Sequence, residues 1–148
     1  MLQEDSLARM IGLARRRLKQ AVGRRVTRYR LSPQQFWVLV YLATADGPPL
    51  LALCERMRMD APTASRIVSA LVRRGLVSMK RDPADRRRGR LSLTARGRTL
   101  AGELLPLAGE FRGVVERDLT RPENQELRRL LTKVIDSLDR YYAQGEPA

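Results

Sequence analysis

One short segment of this chain is rich in arginines, which are the residues best suited to bind another molecule. Four of the five residues from Arg86 to Arg90 are arginines, and Asp82-Pro83 stands just before them. A guanidinium group binds phosphate oxygens and base edges through paired N–H donors. Because Asp-Pro and Gly89 favour a turn between the strand candidates 76–81 and 90–93, we expect a β-hairpin with this segment at its tip. Such a tip indicates contact with a nucleic acid.

The segment before the hairpin predicts two helices in close succession. A short helix is expected over 50–57, and a second one begins at Ala61, with Asp60 as its N-cap, and ends before Gly75. This arrangement is typical of a helix-turn-helix, whose second helix enters the major groove. Its apolar stripe contains Ala64, Ile67, Val68 and Leu71. The other side carries the candidate DNA contacts Pro62, Thr63, Ser65, Arg66, Ser69 and Arg73. Arg66 is the best candidate for a guanine, with phosphate contact as the alternative.

Cap signals and apolar spacing predict the other helices. Apolar residues recur at helical spacing over 6–26, and Ser32 with Gln35 forms a capping box for a helix over 33–45. Thr94 is the N-cap expected for a helix that Pro106 bends, and Thr120 with Glu123 opens the last helix. The helix over 6–26 and the helices after Thr94 and Thr120, which we call the end helices, have too little shared core to bury their apolar stripes within one monomer. We therefore expect them to pack against a second chain.

Composition narrows the function. The 148 residues contain 29 Lys+Arg against 16 Asp+Glu, a net charge of +13 that favours a polyanionic partner. The chain has no histidine and a single cysteine, Cys54, so we expect no metal site, no cofactor and no enzyme. We find neither a membrane-spanning run nor the apolar core of a signal peptide, and we expect a cytoplasmic protein without a membrane partner.

Several runs resemble the MarR family of transcriptional regulators. They are Leu31-Ser-Pro-Gln-Gln-Phe-Trp-Val-Leu, the paired-helix run 53–68, Leu71-Val-Arg-Arg-Gly-Leu-Val, Asp82-Pro-Ala-Asp-Arg-Arg and Leu91-Ser-Leu-Thr-Ala-Arg-Gly. The resemblance implies a mainly α fold with a small β-hairpin wing, in a single domain 1–148. Within it, 31–99 forms the winged helix-turn-helix lobe, and 1–30 and 100–148 form dimerisation helices. It further implies a homodimer that binds a pseudopalindromic operator in double-stranded DNA, as a repressor relieved by a small aromatic or anionic ligand.

The resemblance also assigns roles in the wing. Asp85 and Arg87 match the family's Asp-x-Arg, in which the aspartate orients the arginine for the minor groove. Arg86, Arg88 and Arg90 are then expected to contact the DNA backbone. The alternative is a solvated arginine-rich turn. The excess of arginines leaves open which one enters the groove.

Other features keep two interpretations. Arg16, Phe36 and Trp37 lie where relatives hold small aromatic acids, although core packing also explains the aromatic pair. Cys54 is expected to pack as a small apolar residue rather than to sense oxidants.

The basic face of the first helix is either solvated or a second surface for phosphate or membrane. High charge alone also fits a nonspecific or architectural nucleic-acid-binding protein, which is the alternative function.

Overall fold

The computed structural model describes residues 6–81, 83–84 and 89–145. The helices are α1 (Leu7–Val26), α2 (Pro33–Thr44), α3 (Leu50–Met57), α4 (Ala61–Arg73), α5 (Ala95–Glu116) and α6 (Arg121–Ala143). A 3-10 turn, Thr27–Tyr29, follows α1, and the strands are β1 (Val77–Arg81) and β2 (Gly89–Leu93). The chain forms two compact units, the first ending at Ala108 and the second beginning at Gly109. The predicted fold class, mainly α with a β-hairpin, is confirmed.

Polar side chains start the first two helices where the sequence predicts. The Ser6 hydroxyl accepts from the Arg9 N–H at 3.2 Å and caps α1. At α2, Ser32 accepts from the Gln35 N–H at 3.1 Å, and the Gln35 side chain accepts from the Ser32 N–H at 3.0 Å. This reciprocal pair is the predicted capping box, and it satisfies amide groups that have no partner inside the helix.

Helices α2, α3 and α4 pack their apolar sides into one core. The largest side chains there are Phe36, Leu39, Leu53 and Leu71, each of which is fully buried. Cys54 is also buried, at the packing position that the sequence predicts. Between α3 and α4 the chain turns at Arg58, whose φ of 49° lies in the left-handed region. The predicted helix-turn-helix is confirmed.

The hairpin is antiparallel and is attached to the loop before α3. Its register pairs Val77 with Leu93 and Met79 with Leu91, so Val77, Leu91 and Leu93 face the core. On the loop, the Pro48 carbonyl accepts from the Leu91 N–H at 2.9 Å. The hairpin is therefore attached through the middle of β2 to the loop that precedes α3.

The end helices expose much of their apolar surface in the single chain. The Thr120–Glu123 capping box opens α6 as predicted, and α5 continues through Pro106. No residue of α6 is buried. Its exposed apolar side chains include Leu127, Leu130, Leu131, Ile135 and Leu138, and those of α1 include Leu7, Met10 and Leu13. None of the helices built by the described residues is long and apolar enough to cross a membrane.

Candidate nucleic-acid interface

Helix α4 separates an apolar side from a polar one. Ala64, Ile67, Val68 and Leu71 are buried, which fixes the helix to the core of the first unit. The opposite side faces solvent. It carries the exposed residues Pro62, Ser65, Arg66, Ser69 and Arg73, with Thr63 half-buried. The structure therefore brings all six sequence-predicted residues of this helix onto one accessible surface.

Two hydrogen bonds between Asp60 and Thr63 stabilise the first turn of α4. One Asp60 carboxylate oxygen accepts from the Thr63 N–H at 2.8 Å, and the other accepts from the Thr63 hydroxyl at 2.9 Å. The backbone hydrogen bond first, and the hydroxyl second, lower the pKa of Asp60 below its usual value. The carboxylate is thus ionised at neutral pH, where its charge is favourable at a helix N-terminus.

The same contact limits what Thr63 can do toward a base. Its hydroxyl hydrogen is directed to Asp60, so the oxygen retains only acceptor capacity. Such an oxygen fits the exocyclic amine of adenine or cytosine rather than the carbonyl of guanine or thymine. Arg66 offers the complementary chemistry, since its exposed guanidinium is a pure donor that fits guanine O6 and N7.

The predicted wing residues are only partly within the described structure. Asp85, Arg86, Arg87 and Arg88 lie outside the described residues. Arg90 is exposed near the start of β2, where it pairs with Lys80, and its guanidinium donates to the Gly47 carbonyl at 3.4 Å. Arg90 also forms an isolated bridge with Pro49, so it contributes to the attachment of the hairpin. Its expected phosphate contact remains a prediction.

The end of α4 carries contacts that the sequence did not predict. The Arg74 guanidinium donates to the carbonyl oxygens of Arg30 and Tyr29, at 2.7 and 3.0 Å. The Thr94 hydroxyl donates to the Gly75 carbonyl at 2.6 Å and accepts from the Gly97 N–H at 3.0 Å. Sequence patterns identified Thr94 only as a helix cap, and the Arg73-Arg74 pair only as charge at a helix end. The partners of Arg74 are too far along the chain for a local pattern to indicate them.

The candidate ligand residues occupy different environments. Phe36 is fully buried and meets Trp37 edge to face, with ring centroids 4.8 Å apart. Trp37 is partly exposed, whereas Arg16 is exposed on α1. Among the described residues, no group of three or more Asp, Glu, Cys or His side chains is arranged to hold a metal ion.

Comparisons with known proteins identify the family. The family model described as MarR family matches residues 31–88, which contain the helix-turn-helix and part of the hairpin segment. The HTH-type transcriptional repressor NicR of Pseudomonas putida is 31% identical over 108 residues, covering 73% of this chain and 68% of that protein. This chain belongs to the MarR family. As a MarR-family protein it is a transcriptional regulator and not an enzyme.

Other relatives agree with this assignment. The transcriptional regulator HosA of Escherichia coli O111:H- is 26% identical over 107 residues, covering 72% of this chain and 79% of that one. A putative MarR family regulator of Listeria monocytogenes, solved with a 26-mer DNA, has a TM-score of 0.84 at 23% identity and covers 97% of this chain and 98% of its own. The S. aureus MepR–DNA complex has a TM-score of 0.82 at 23% identity, covering 90% of this chain and 99% of that one. The two structures show that the MarR fold is shared.

Proposed function

We propose that this MarR-family regulator is a dimeric repressor that binds a pseudopalindromic operator and is released by a small ligand. The observation that carries the proposal is the exposed polar side of α4. A buried apolar stripe holds this helix rigidly, while Arg66, Ser65 and their neighbours remain accessible. Rigid support of the contacting side chains is what sequence-specific reading of a groove requires.

The chemistry of this surface suits double-stranded DNA. Helix α4, which we call the recognition helix, enters the major groove with its N-terminal part, where Arg66 reads guanine and Thr63 or Ser65 accepts from a base amine. Ser69 and Arg73 contact the backbone. In the wing, Asp85 orients Arg87 for the minor groove, and Arg86, Arg88 and Arg90 bind phosphates. Two solved neighbours, MepR and the Listeria regulator, are described as bound to DNA, which supports the same partner here.

A second copy of the chain is the partner that we propose for the exposed apolar side chains of the end helices. Leu7 and Met10 of α1 are each 61% exposed, and α6 has no buried residue. Exposed apolar stripes on long helices mark interaction surfaces. In this proposal 1–30 and 100–148 form the dimer, and each 31–99 lobe reads a half-site. Twofold symmetry then places the half-sites about one turn of DNA apart.

We further propose that the regulator represses transcription and that a small ligand releases it from DNA. NicR is described as a repressor, which favours the same sign here. An aromatic or anionic ligand held by Trp37 and Arg16, beside Phe36, would release the operator by binding better to a dimer with a different spacing of its lobes. A regulator of this kind works on DNA in the cytoplasm.

Selection of genomic fragments by the purified protein tests the proposal. We expect recovery of a pseudopalindrome, and a preference for it that survives excess unrelated DNA as salt rises. A nonspecific or architectural binder, by contrast, retains no preferred site under this competition. The neighbouring genes then indicate classes of ligand to screen for release.

Alanine variants of the two reading arginines locate the interface. Arg66→Ala and Arg87→Ala should both weaken operator binding, and Arg87→Ala should also flatten its salt dependence. Arg112→Ala, which removes an exposed arginine of α5, serves as the control for loss of charge alone. An unchanged binding curve for Arg87→Ala refutes the wing assignment.

A further inference from the structure

Arg74 ties the end of the recognition helix to a distant part of the chain. Its guanidinium donates to the carbonyls of Arg30 and Tyr29, which precede it by 44 and 45 residues. These two residues end the 3-10 turn that follows α1. We propose that Arg74 is a positioning residue for operator recognition, which holds the end of α4 against the turn that follows α1 without contacting DNA. The inference rests on the proposed function, because it assumes a preferred DNA site.

The geometry of this contact suits an arginine. A guanidinium is planar and presents its N–H donors as a fork, so one side chain can bind two adjacent carbonyls at once. One of those carbonyls belongs to Arg30, whose φ of 55° lies in the left-handed region. A non-glycine residue holds this conformation only where its surroundings fix it. The hydrogen bond from Arg74 is one such constraint.

Two further contacts hold the same end of the helix from the start of α5. The Arg74 carbonyl accepts from the Arg96 guanidinium at 3.3 Å, and the Gly75 carbonyl accepts from the Thr94 hydroxyl at 2.6 Å. These bonds fix the exit of α4 toward the hairpin. Arg96 and Thr94 come from the part of the chain that follows the hairpin. The Arg74 side chain instead binds residues that follow α1, in the N-terminal part of the chain. In the proposed dimer α1 belongs to the shared helices, so this contact transmits their position to the reading surface.

Arg73 is a matched neighbour with a different role. It is exposed on the polar side of α4, whereas Arg74 is half-buried and its guanidinium is bound to carbonyls. A phosphate contact contributes to the salt dependence of binding, with a slope of about 0.9 in log–log form for each phosphate neutralised. A positioning residue contributes nothing to that slope. Salt dependence therefore separates the two roles.

The test measures binding to the selected operator and to unrelated DNA over a range of salt. Arg74→Ala removes two charge-assisted hydrogen bonds, and the loss of even one corresponds to a factor of about ten, so we expect operator affinity to fall at least about tenfold. Its salt slope and its affinity for unrelated DNA should equal those of the wild type. Arg73→Ala should instead lower the slope by about 0.9 and weaken both kinds of binding. Thermal unfolding of each variant checks that the folded protein is being compared.

Two results would contradict the positioning role of Arg74. A salt slope that falls in Arg74→Ala as it does in Arg73→Ala makes Arg74 a phosphate contact, and an unchanged operator affinity removes its positioning role. If Arg74→Ala does not fold, Arg74→Lys keeps the charge but loses the planar fork. This variant should also lose operator affinity at constant slope, and wild-type behaviour overturns the proposal. A wild-type protein with no preferred site refutes the proposed function first, and this inference with it.

Discussion

Arg66 is the residue whose replacement should report most directly on base reading. It is exposed on the polar side of α4, in the second turn after the cap, and its fork matches guanine O6 and N7. We expect Arg66→Ala to cost about 1–3 kcal/mol of operator binding and to relax discrimination at one base pair. Competition binding against operators with single base-pair changes measures both effects.

The lysine variant supplies the control for charge. Arg66→Lys keeps a positive charge for phosphate but cannot bridge two guanine atoms in one plane. If Arg66 reads a base, the lysine variant should lose discrimination nearly as far as alanine does. Wild-type discrimination in Arg66→Lys would instead mean that Arg66 contacts phosphate alone.

The ionised cap at Asp60 should make the stability of the protein depend on pH, with a gain on the neutral side. The Thr63 N–H, and then its hydroxyl, lower the pKa of this carboxyl in the folded protein. A lowered folded pKa gives stability that is fully present above the unfolded value, about 3.9, and is lost as pH falls through the folded value. Asp60→Asn caps the helix without titrating. The wild type should therefore have the higher Tm above pH 4, and the difference should shrink in more acidic solution.

Measurement of Tm against pH for both proteins makes this comparison, since other carboxyl groups contribute equally to each curve. A difference in Tm that stays constant through the acidic range would show that the Asp60 charge adds nothing to the cap. Operator affinity at neutral pH provides a second readout, because the cap fixes the turn that carries Thr63.

At the scale of elements, Gly97 in the first turn of α5 lies against the backbone of Leu76, the residue before β1. A Cβ at this position would stand 2.0 Å from the Leu76 carbonyl oxygen, which is backbone and cannot move aside cheaply. Overpacking of this kind usually costs about 1–3 kcal/mol. We expect Gly97→Ala to lower the free energy of unfolding by at least that much. Gly102 lies in the same helix, and beyond the adjacent residues and the local helix backbone no atom of the described residues lies within 4 Å of its ideal Cβ.

Gly102→Ala should therefore be neutral or raise stability by about 0.4–1 kcal/mol, because alanine restricts the unfolded chain. Urea unfolding of both variants gives the comparison. Equal stabilities for the two alanine variants would mean that α5 can shift away from Leu76, and that the close approach does not fix the junction.

Local signals account for most of the elements that the sequence predicted. The boxes Ser32–Gln35 and Thr120–Glu123 lie within four consecutive residues, so their pattern is visible in the sequence and their geometry is confirmed. The left-handed conformations of Arg30 and Arg58 have no such signal in the sequence. Glycine or asparagine usually marks a left-handed position, and arginine does not. The Arg74 contact is missed for another reason. It spans more than 40 residues and depends on tertiary packing rather than on periodicity.

At the scale of the whole molecule, charge and apolar surface serve different parts of the proposed function. The net charge of +13 strengthens binding to any DNA and makes it depend on salt. Specificity requires in addition two reading surfaces at a fixed spacing, which a second copy of the chain would supply. Loss of the dimer should therefore reduce operator preference more than it reduces binding to unrelated DNA.

The apolar stripe of α6 provides the test. Leu131 and Ile135 are 37% and 39% exposed in the single chain, one turn apart on the same stripe. Glutamates at both positions would be buried without partners in a dimer but solvated in a monomer, so we expect Leu131→Glu/Ile135→Glu to shift the protein to monomers. Thr132→Glu adds a charge at an exposed position between them and should leave the dimer intact. Sedimentation equilibrium measures the assembly state. A double variant that remains dimeric places the interface elsewhere, and a wild type that is monomeric at micromolar concentration overturns the dimer itself.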